Sequence, residues 1–269
     1  MKNMIGIFDT GVGGLTVVKQ VFKYLPEYEI IYLGDTGRFP YSTKPLENKI
    51  NFSLQDAKFL IKHDAKILLI ACNTITSFAG QEIREKSSVP VFDVVSSGAY
   101  AASKITNNYR VGLIGSRDTI NSNIYEFYLK KINPEIKLFP RATQLFIYLV
   151  EENYIDYPET TQIVRNFLEP FKKDSIDTLI LGCTHFPYLK KEIKKAVGER
   201  IVLIDPAEEL ALQLKKYLNN HSKIKDKLAR GQNHRFFISG DVDNFQESAK
   251  KIFNMDLKNI YHLVWDNEN

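Results

Sequence analysis

The sequence predicts an α/β fold of two related domains, each built on a mostly parallel central sheet, and three observations carry that prediction. The first is a segment that occurs twice: Lys66-Ile67-Leu68-Leu69-Ile70-Ala71-Cys72-Asn73-Thr74 and, 111 positions later, Asp177-Thr178-Leu179-Ile180-Leu181-Gly182-Cys183-Thr184-His185. Each copy reads as a short strand, apolar without alternation, and such a strand belongs inside a sheet covered by helices on both faces. The second is a fainter echo of Met4-Ile5-Gly6-Ile7-Phe8-Asp9-Thr10 in Arg110-Val111-Gly112-Leu113-Ile114-Gly115-Ser116, at the similar offset of 106. The third is the alternation of strand-like and helix-like patterns along the chain, which is the order of a parallel sheet. An internal pseudo-two-fold follows. The expected domains are residues 1–95 with 206–269, and residues 96–205. Ligands of such sheets bind beyond the carboxyl ends of the strands. Both cysteines, the only two in the chain, fall there, so the active site is expected in the cleft between the domains.

Taken in order, Met4–Phe8 is the first strand and leads into Asp9-Thr10-Gly11-Val12-Gly13-Gly14, a turn whose glycines allow positive φ and close backbone approach. A helix follows, with Leu15, Val18, Val21, Phe22 and Leu25 on one face. Strand, glycine turn and helix form an anion-binding arrangement, because the first helical N–H groups point outward unpaired. Thr16 stands where a dinucleotide fingerprint needs its third glycine, and Asp9 would repel a phosphate, so a small carboxylate suits the site better. Ile30–Leu33 is the second strand. The loop after it, Gly34 to Ser42, sits at a strand's carboxyl end and is placed to line the same cleft. A helix over Leu46–His63, the Cys72 strand, a helix from about Ser77 to Ser87 and a strand Val91–Val94 complete the first half. The second half repeats the scheme. It has a helix from Ser97 to Ile105, the Arg110 strand, a helix near Ile120–Lys131 and a strand near Ile136–Phe139. The helical stretch Leu145–Val150 then runs into Glu151, followed by a helix Pro158–Phe171, the Cys183 strand, a lysine-rich helix and the strand Ile201–Ile204. After Asp205-Pro206 come a helix Ala207–Leu218, a strand Arg235–Ser239, a helix near Val242–Phe253 and a strand Asn259–Leu263. This tail is too short for a third domain and is expected to return to the first.

Composition narrows the function classes. With 44% hydrophobic and 12% aromatic residues, the chain has ample material for a packed core. Its apolar runs reach about six residues, far short of the ~20 that span a bilayer. The first residues meet Asp9 too early for a secretory apolar region, which gives the expectation of a cytoplasmic protein with free thiols. A net charge of +4 is mild, and Lys190, Lys191, Lys194 and Lys195 form the solvated face of an amphipathic helix. No motif that reads bases accompanies them, so a nucleic-acid partner is not expected.

Buried cysteine is ordinarily a small, inert hydrophobe. Here each cysteine is followed by hydrogen-bonding residues, Asn73-Thr74 and Thr184-His185, and a neighbouring imidazole can tune a thiol. Cys183-x-His185 falls short of the four ligands of a zinc site. A protease-like Cys–His pair would leave Cys72 unexplained. Inversion of a carbon acid needs two matched groups on opposite sides of one molecule, a base removing a proton from one face and an acid returning one to the other. Asp9 and His185 are placed to assist one thiol each, and Glu151 is a further candidate near the second.

These motifs, together with Gly34-Asp35-Thr36 and Pro40-Tyr41, resemble those of the cofactor-independent aspartate/glutamate racemase superfamily over essentially the whole chain. The resemblance implies two α/β domains, Cys72 and Cys183 as the two acid/bases, and Asp9 and His185 as their assistants. It also implies Thr10, Asn73, Thr74 and Thr184, with Pro40, Tyr41 and Ser42, as substrate binders. No metal and no cofactor enter. It further implies a homodimer whose small-molecule substrate is glutamate and whose product, D-glutamate, serves peptidoglycan. Three departures stand out: Thr10 for the usual serine, Ser42 for the usual glycine, and Gln144 and Tyr148 where prolines are usual. Histidine at 185 favours glutamate over aspartate as substrate. An aspartate racemase, or an amino-acid-binding protein that has lost the chemistry, are the alternatives.

Overall fold

The computed structural model describes residues 3–253 and 255–265. Among the described residues there are ten strands: β1 (Met4–Asp9), β2 (Ile30–Gly34), β3 (Ala65–Ile70), β4 (Val91–Asp93), β5 (Arg110–Gly115), β6 (Lys137–Ala142), β7 (Thr178–Gly182), β8 (Val202–Ile204), β9 (Arg235–Ile238) and β10 (Ile260–His262). They form two sheets, one of six strands in the order β10-β9-β2-β1-β3-β4 and one of four in the order β6-β5-β7-β8. Every paired neighbour is parallel. The chain divides into two compact units, Met1–Val94 with Leu210–Asn269, and Val95–Glu209. Among the described residues no helix is long and apolar enough to cross a membrane.

The four-stranded sheet repeats four consecutive strands of the six-stranded one, with β2-β1-β3-β4 answering β6-β5-β7-β8. The register repeats as well. Gly6 of β1 lies opposite Leu68 of β3, and Gly112 of β5 lies opposite Leu179 of β7. Both glycines are required by space. A side chain on Gly6 would meet Ala65 Cβ at 2.7 Å and Leu68 Cδ2 at 3.0 Å, and one on Gly112 would meet Ile176 Cδ1 at 2.5 Å and Leu179 Cδ1 at 2.9 Å. The same positions of the repeat therefore press on the same glycine in both sheets. β9 then joins the first sheet beside β2, and β10 beside β9.

Each sheet has its own core. In the first, Met4, Phe8, Leu68, Ile70, Ile75 and Leu60 are fully or almost fully removed from water; in the second, Ile114, Phe146, Leu179, Leu181, Phe186 and Ile193 are. Completely burying one such side chain is worth about 1.5–3 kcal/mol. The central strands owe their unbroken apolar pattern to this two-sided cover, and all six residues of β1 and all five of β7 are buried.

Four local outcomes differ from the sequence expectation. The helix after Cys72 begins at Asn73 and runs to Lys86, four residues earlier than the pattern suggests, because the weak helix formers Thr74, Ile75 and Thr76 are packed in its first turn. The helix expected from Ser97 starts at Val94. β6 continues through Pro140 to Ala142, since it is an edge strand and Pro140 needs no ladder donor on its free side. The helix from Pro158 stops at Leu168, two residues before Pro170, and a separate short helix covers Phe171–Asp174.

Candidate active site

In the first unit the site begins where β1 ends. Asp9, 1% exposed, accepts the backbone N–H of Gly11 on Oδ1 at 2.9 Å, which closes the turn onto its own carboxylate. The Tyr32 hydroxyl donates to Gly11 O at 2.7 Å and holds the turn from the neighbouring strand. Gly14 has φ −60°, so it serves the turn through space rather than through a left-handed backbone: a Cβ there would lie 2.5 Å from Asp9 Cβ and 2.7 Å from the Tyr32 hydroxyl. Thr10, buried beside Asp9, places Oγ1 3.8 Å from Cys72 Sγ and 3.5 Å from Asp9 Oδ1. Thr10 thus bridges the carboxylate to the sulfur. The family resemblance implies a substrate role for Thr10; its contact with the Cys72 sulfur, 62 positions away, has no signal in the sequence.

Cys72, 7% exposed, follows β3 and is the N-cap of the helix Asn73–Lys86. Its carbonyl accepts both the backbone N–H and the hydroxyl of Thr76, at 3.0 and 2.9 Å. The sulfur therefore sits at the positive end of a fourteen-residue helix, which favours negative charge. Asn73 is buried and Thr74 half-buried in the same first turn.

The loop after β2 carries Pro40 and Tyr41. The Phe39–Pro40 peptide is cis, and Pro40 is half-buried. Tyr41 is 2% exposed and its hydroxyl donates to Asp35 and, at 3.3 Å, to Asp56. Its phenol is thus held inside the first unit. Ser42 belongs by its backbone to the short 3₁₀ turn Tyr41–Thr43, and its side chain lies outside the described ones.

In the second unit Cys183 follows β7, as Cys72 follows β3, and is half-buried. The local turn differs for a reason legible in the chain. Four residues after Cys72 stands Thr76, whose N–H closes an α-helical bond; four residues after Cys183 stands Pro187, which has none. Phe186 N–H closes the tighter bond to Cys183 O instead, at 3.1 Å, and Phe186–Leu189 is 3₁₀. This turn brings His185 Nδ1 to 3.6 Å from Cys183 Sγ. Nε2, buried and without an aligned hydrogen bond, approaches Glu151 Oε1 at 3.2 Å as an ionic contact. Burial would push the His185 imidazole down, but the Cys183 sulfur and the carboxylate of Glu151, through hydrogen bonding and charge, outweigh it and raise it to about 10. Cys183, His185 and Glu151 therefore form one connected cluster, with Thr184 buried beside it. Glu151 ends the helix Gln144–Glu151, which contains the departures Gln144 and Tyr148.

Both strand ends thus present a sulfur with its own proton-handling neighbour: a hydroxyl backed by a carboxylate at Cys72, an imidazolium backed by a carboxylate at Cys183. Groups of this kind can take up and deliver protons at carbon. Among the described residues no three His, Cys, Asp or Glu side chains gather as metal ligands would.

The chain is similar to known proteins over nearly its whole length. A glutamate racemase of Geobacter metallireducens is 39% identical over 98% of this chain and 97% of its own. The crystal structure of a glutamate racemase isoform from Bacillus anthracis is 37% identical, covers 97% of both chains and superposes with a TM-score of 0.91. That of the Francisella tularensis glutamate racemase in complex with D-glutamate is 32% identical, covers 98% of both and gives a TM-score of 0.89. The model of the Asp/Glu/hydantoin racemase family matches residues 13–214, a span that holds both cysteines and their turns. Duplicated sheets, matched thiols and full-length relatives converge on one assignment: the chain is a member of the Asp/Glu/hydantoin racemase family.

Proposed function

We propose that the protein interconverts L- and D-glutamate by two-base proton transfer at the α-carbon. The observation that carries this reading is the equivalence of Cys72 and Cys183, each following the same strand of a repeated sheet and each touching a different proton-handling group. In one direction a cysteine thiolate removes the α-proton from one face, and the other cysteine, as thiol, delivers a proton to the opposite face. The C–H bond broken and the C–H bond formed balance, and the two sulfurs exchange protonation states. In the reverse direction their roles exchange. Thr10 with Asp9 and His185 with Glu151 then restore each sulfur by passing protons to and from solvent. Asn73, Thr74 and Thr184, with the loop of Pro40, Tyr41 and Ser42, hold the amino acid's polar ends, and the positive N-terminal end of the helix after Cys72 suits a carboxylate.

Neither a metal nor a cofactor has a part in this scheme. The relatives' names and the histidine at 185 support glutamate over aspartate. From the family resemblance we also place the protein in the cytoplasm as a homodimer whose D-glutamate serves peptidoglycan synthesis. Incubation with L-glutamate in D2O, followed by chiral analysis, tests the core of the proposal. D-glutamate should appear carrying deuterium at the α-carbon. Product without deuterium, or no product, would overturn it.

A further inference from the structure

The first unit contains a buried polar cluster that the proton-transfer scheme does not use. The Arg38 guanidinium is stacked between two aromatic faces, 4.2 Å from the centroids of Phe52 and of Trp265. It donates from Nε to Asp35 at 2.6 Å and from a terminal nitrogen to Asp56 at 2.9 Å, and both carboxylates are completely buried. The Tyr41 hydroxyl donates to the same two carboxylates. Trp265, the only tryptophan in the chain, donates its Nε1–H to the other oxygen of Asp35 at 2.9 Å. Phe39 and Pro40 are thus bracketed by two side chains anchored on the same pair of aspartates, and the anchor is closed by a residue 230 positions away from Asp35.

We infer that Trp265 and Arg38 form a latch that sets the position of the Pro40–Ser42 loop for substrate, making both of them positioning residues. The physical case is the number of constraints. Fixing a loop costs conformational entropy at each residue, and buried charge-assisted bonds together with a doubly stacked guanidinium offset that cost. Burial and the nearby Asp35 carboxylate hold the Asp56 carboxyl well above its ordinary range, which keeps the cluster near neutrality against the one Arg38 charge. Without Trp265 the guanidinium loses one of its two faces and Asp35 loses a donor. The loop keeps its fold but not its fixed place.

The role in substrate positioning rests on the reading that Pro40–Ser42 touches glutamate, so the test has an arm independent of it. Amide hydrogen exchange of residues 36–43 compares the wild type with Trp265→Ala, Trp265→Phe and Arg38→Lys, alongside KM and kcat for glutamate. Trp265→Ala and Arg38→Lys should speed exchange in this segment and raise KM about 10-fold with kcat little changed, since a small misplacement of a binding group is costly. Trp265→Phe, which keeps a stacking face, should recover most of both. Unchanged exchange in Trp265→Ala and Arg38→Lys would overturn the latch, whatever their melting temperatures. Faster exchange with an unmoved KM would overturn the positioning role. If the wild type does not racemise glutamate, the substrate reading falls on its own account, and the exchange comparison still decides the latch.

Discussion

At the scale of single residues, the proposed chemistry is divided between two sulfurs with unlike neighbours. Because each turnover is proposed to use one cysteine as base and the other as acid, Cys72→Ala and Cys183→Ala should each abolish racemisation in both directions. Loss of one positioned acid/base group is worth roughly 10²–10⁴-fold or more. A variant with near-normal turnover, measured from either enantiomer, would mark its cysteine as structural. His185 gives a second test through pH. Its imidazole is raised from 6.5 to about 10 in the folded protein, so the folded state holds this proton more tightly than the unfolded one. The stability this contributes is complete below pH about 6.5 and is lost as pH rises toward about 10. Urea midpoints of the wild type and His185→Gln should therefore converge across that window, with the wild type losing more as pH rises. Parallel curves would show that the Glu151–His185–Cys183 contacts do not hold the imidazole charged.

At the scale of elements, the duplicated strands impose the same demand for glycine but tolerate its loss differently. Gly6→Ala drives a methyl against Ala65 Cβ at 2.7 Å, an atom fixed to the backbone of β3, with the Ile67 carbonyl at 3.3 Å behind it. Gly112→Ala meets Ile176 Cδ1 and Leu179 Cδ1, the far ends of side chains that can turn aside. Both should destabilise by overpacking, about 1–3 kcal/mol, with Gly6→Ala the worse of the two. Denaturant titration of the two variants checks the order, and an equal or reversed ranking would show that β3 yields as readily as a side chain does. Pro187 acts at this scale as well. By withholding one N–H it gives the Cys183 turn a 3₁₀ form and sets His185 beside the sulfur, whereas the Cys72 turn runs directly into an α-helix.

At the scale of the whole molecule, each of the two sheets carries a cysteine just after one of its central strands, and the proposed two-thiol chemistry is indifferent to added cofactors. Dialysed protein with chelator should racemise glutamate at its full rate; activity that vanishes and returns with pyridoxal phosphate would replace the two-thiol scheme. Discrimination between amino acids should be read in kcat/KM. A site that holds glutamate at both ends cannot hold aspartate with its α-carbon in the same place, and a misplacement near 1 Å can cost ~100-fold. Equal values for the two amino acids would overturn the substrate assignment while leaving the racemase chemistry standing.

Much of this was legible in the chain because it is written in short-range pattern. The unbroken apolar runs of β1, β3, β5 and β7, their offsets of 106 and 111, and the polar residues after each cysteine are enough to place both thiols at the carboxyl ends of parallel strands. The pairing of Cys183 with His185 is local too, separated by one residue. What only the tertiary structure decided are contacts between segments distant in sequence: Thr10 against Cys72, Glu151 against His185, Tyr41 turned onto Asp35 and Asp56, and Trp265 closing on Arg38. Periodicity records which face of an element is buried and propensity records where it starts and stops. Neither records which side chain of another element fills the space opposite, because that depends on register, strand order and the close packing of whole sheets.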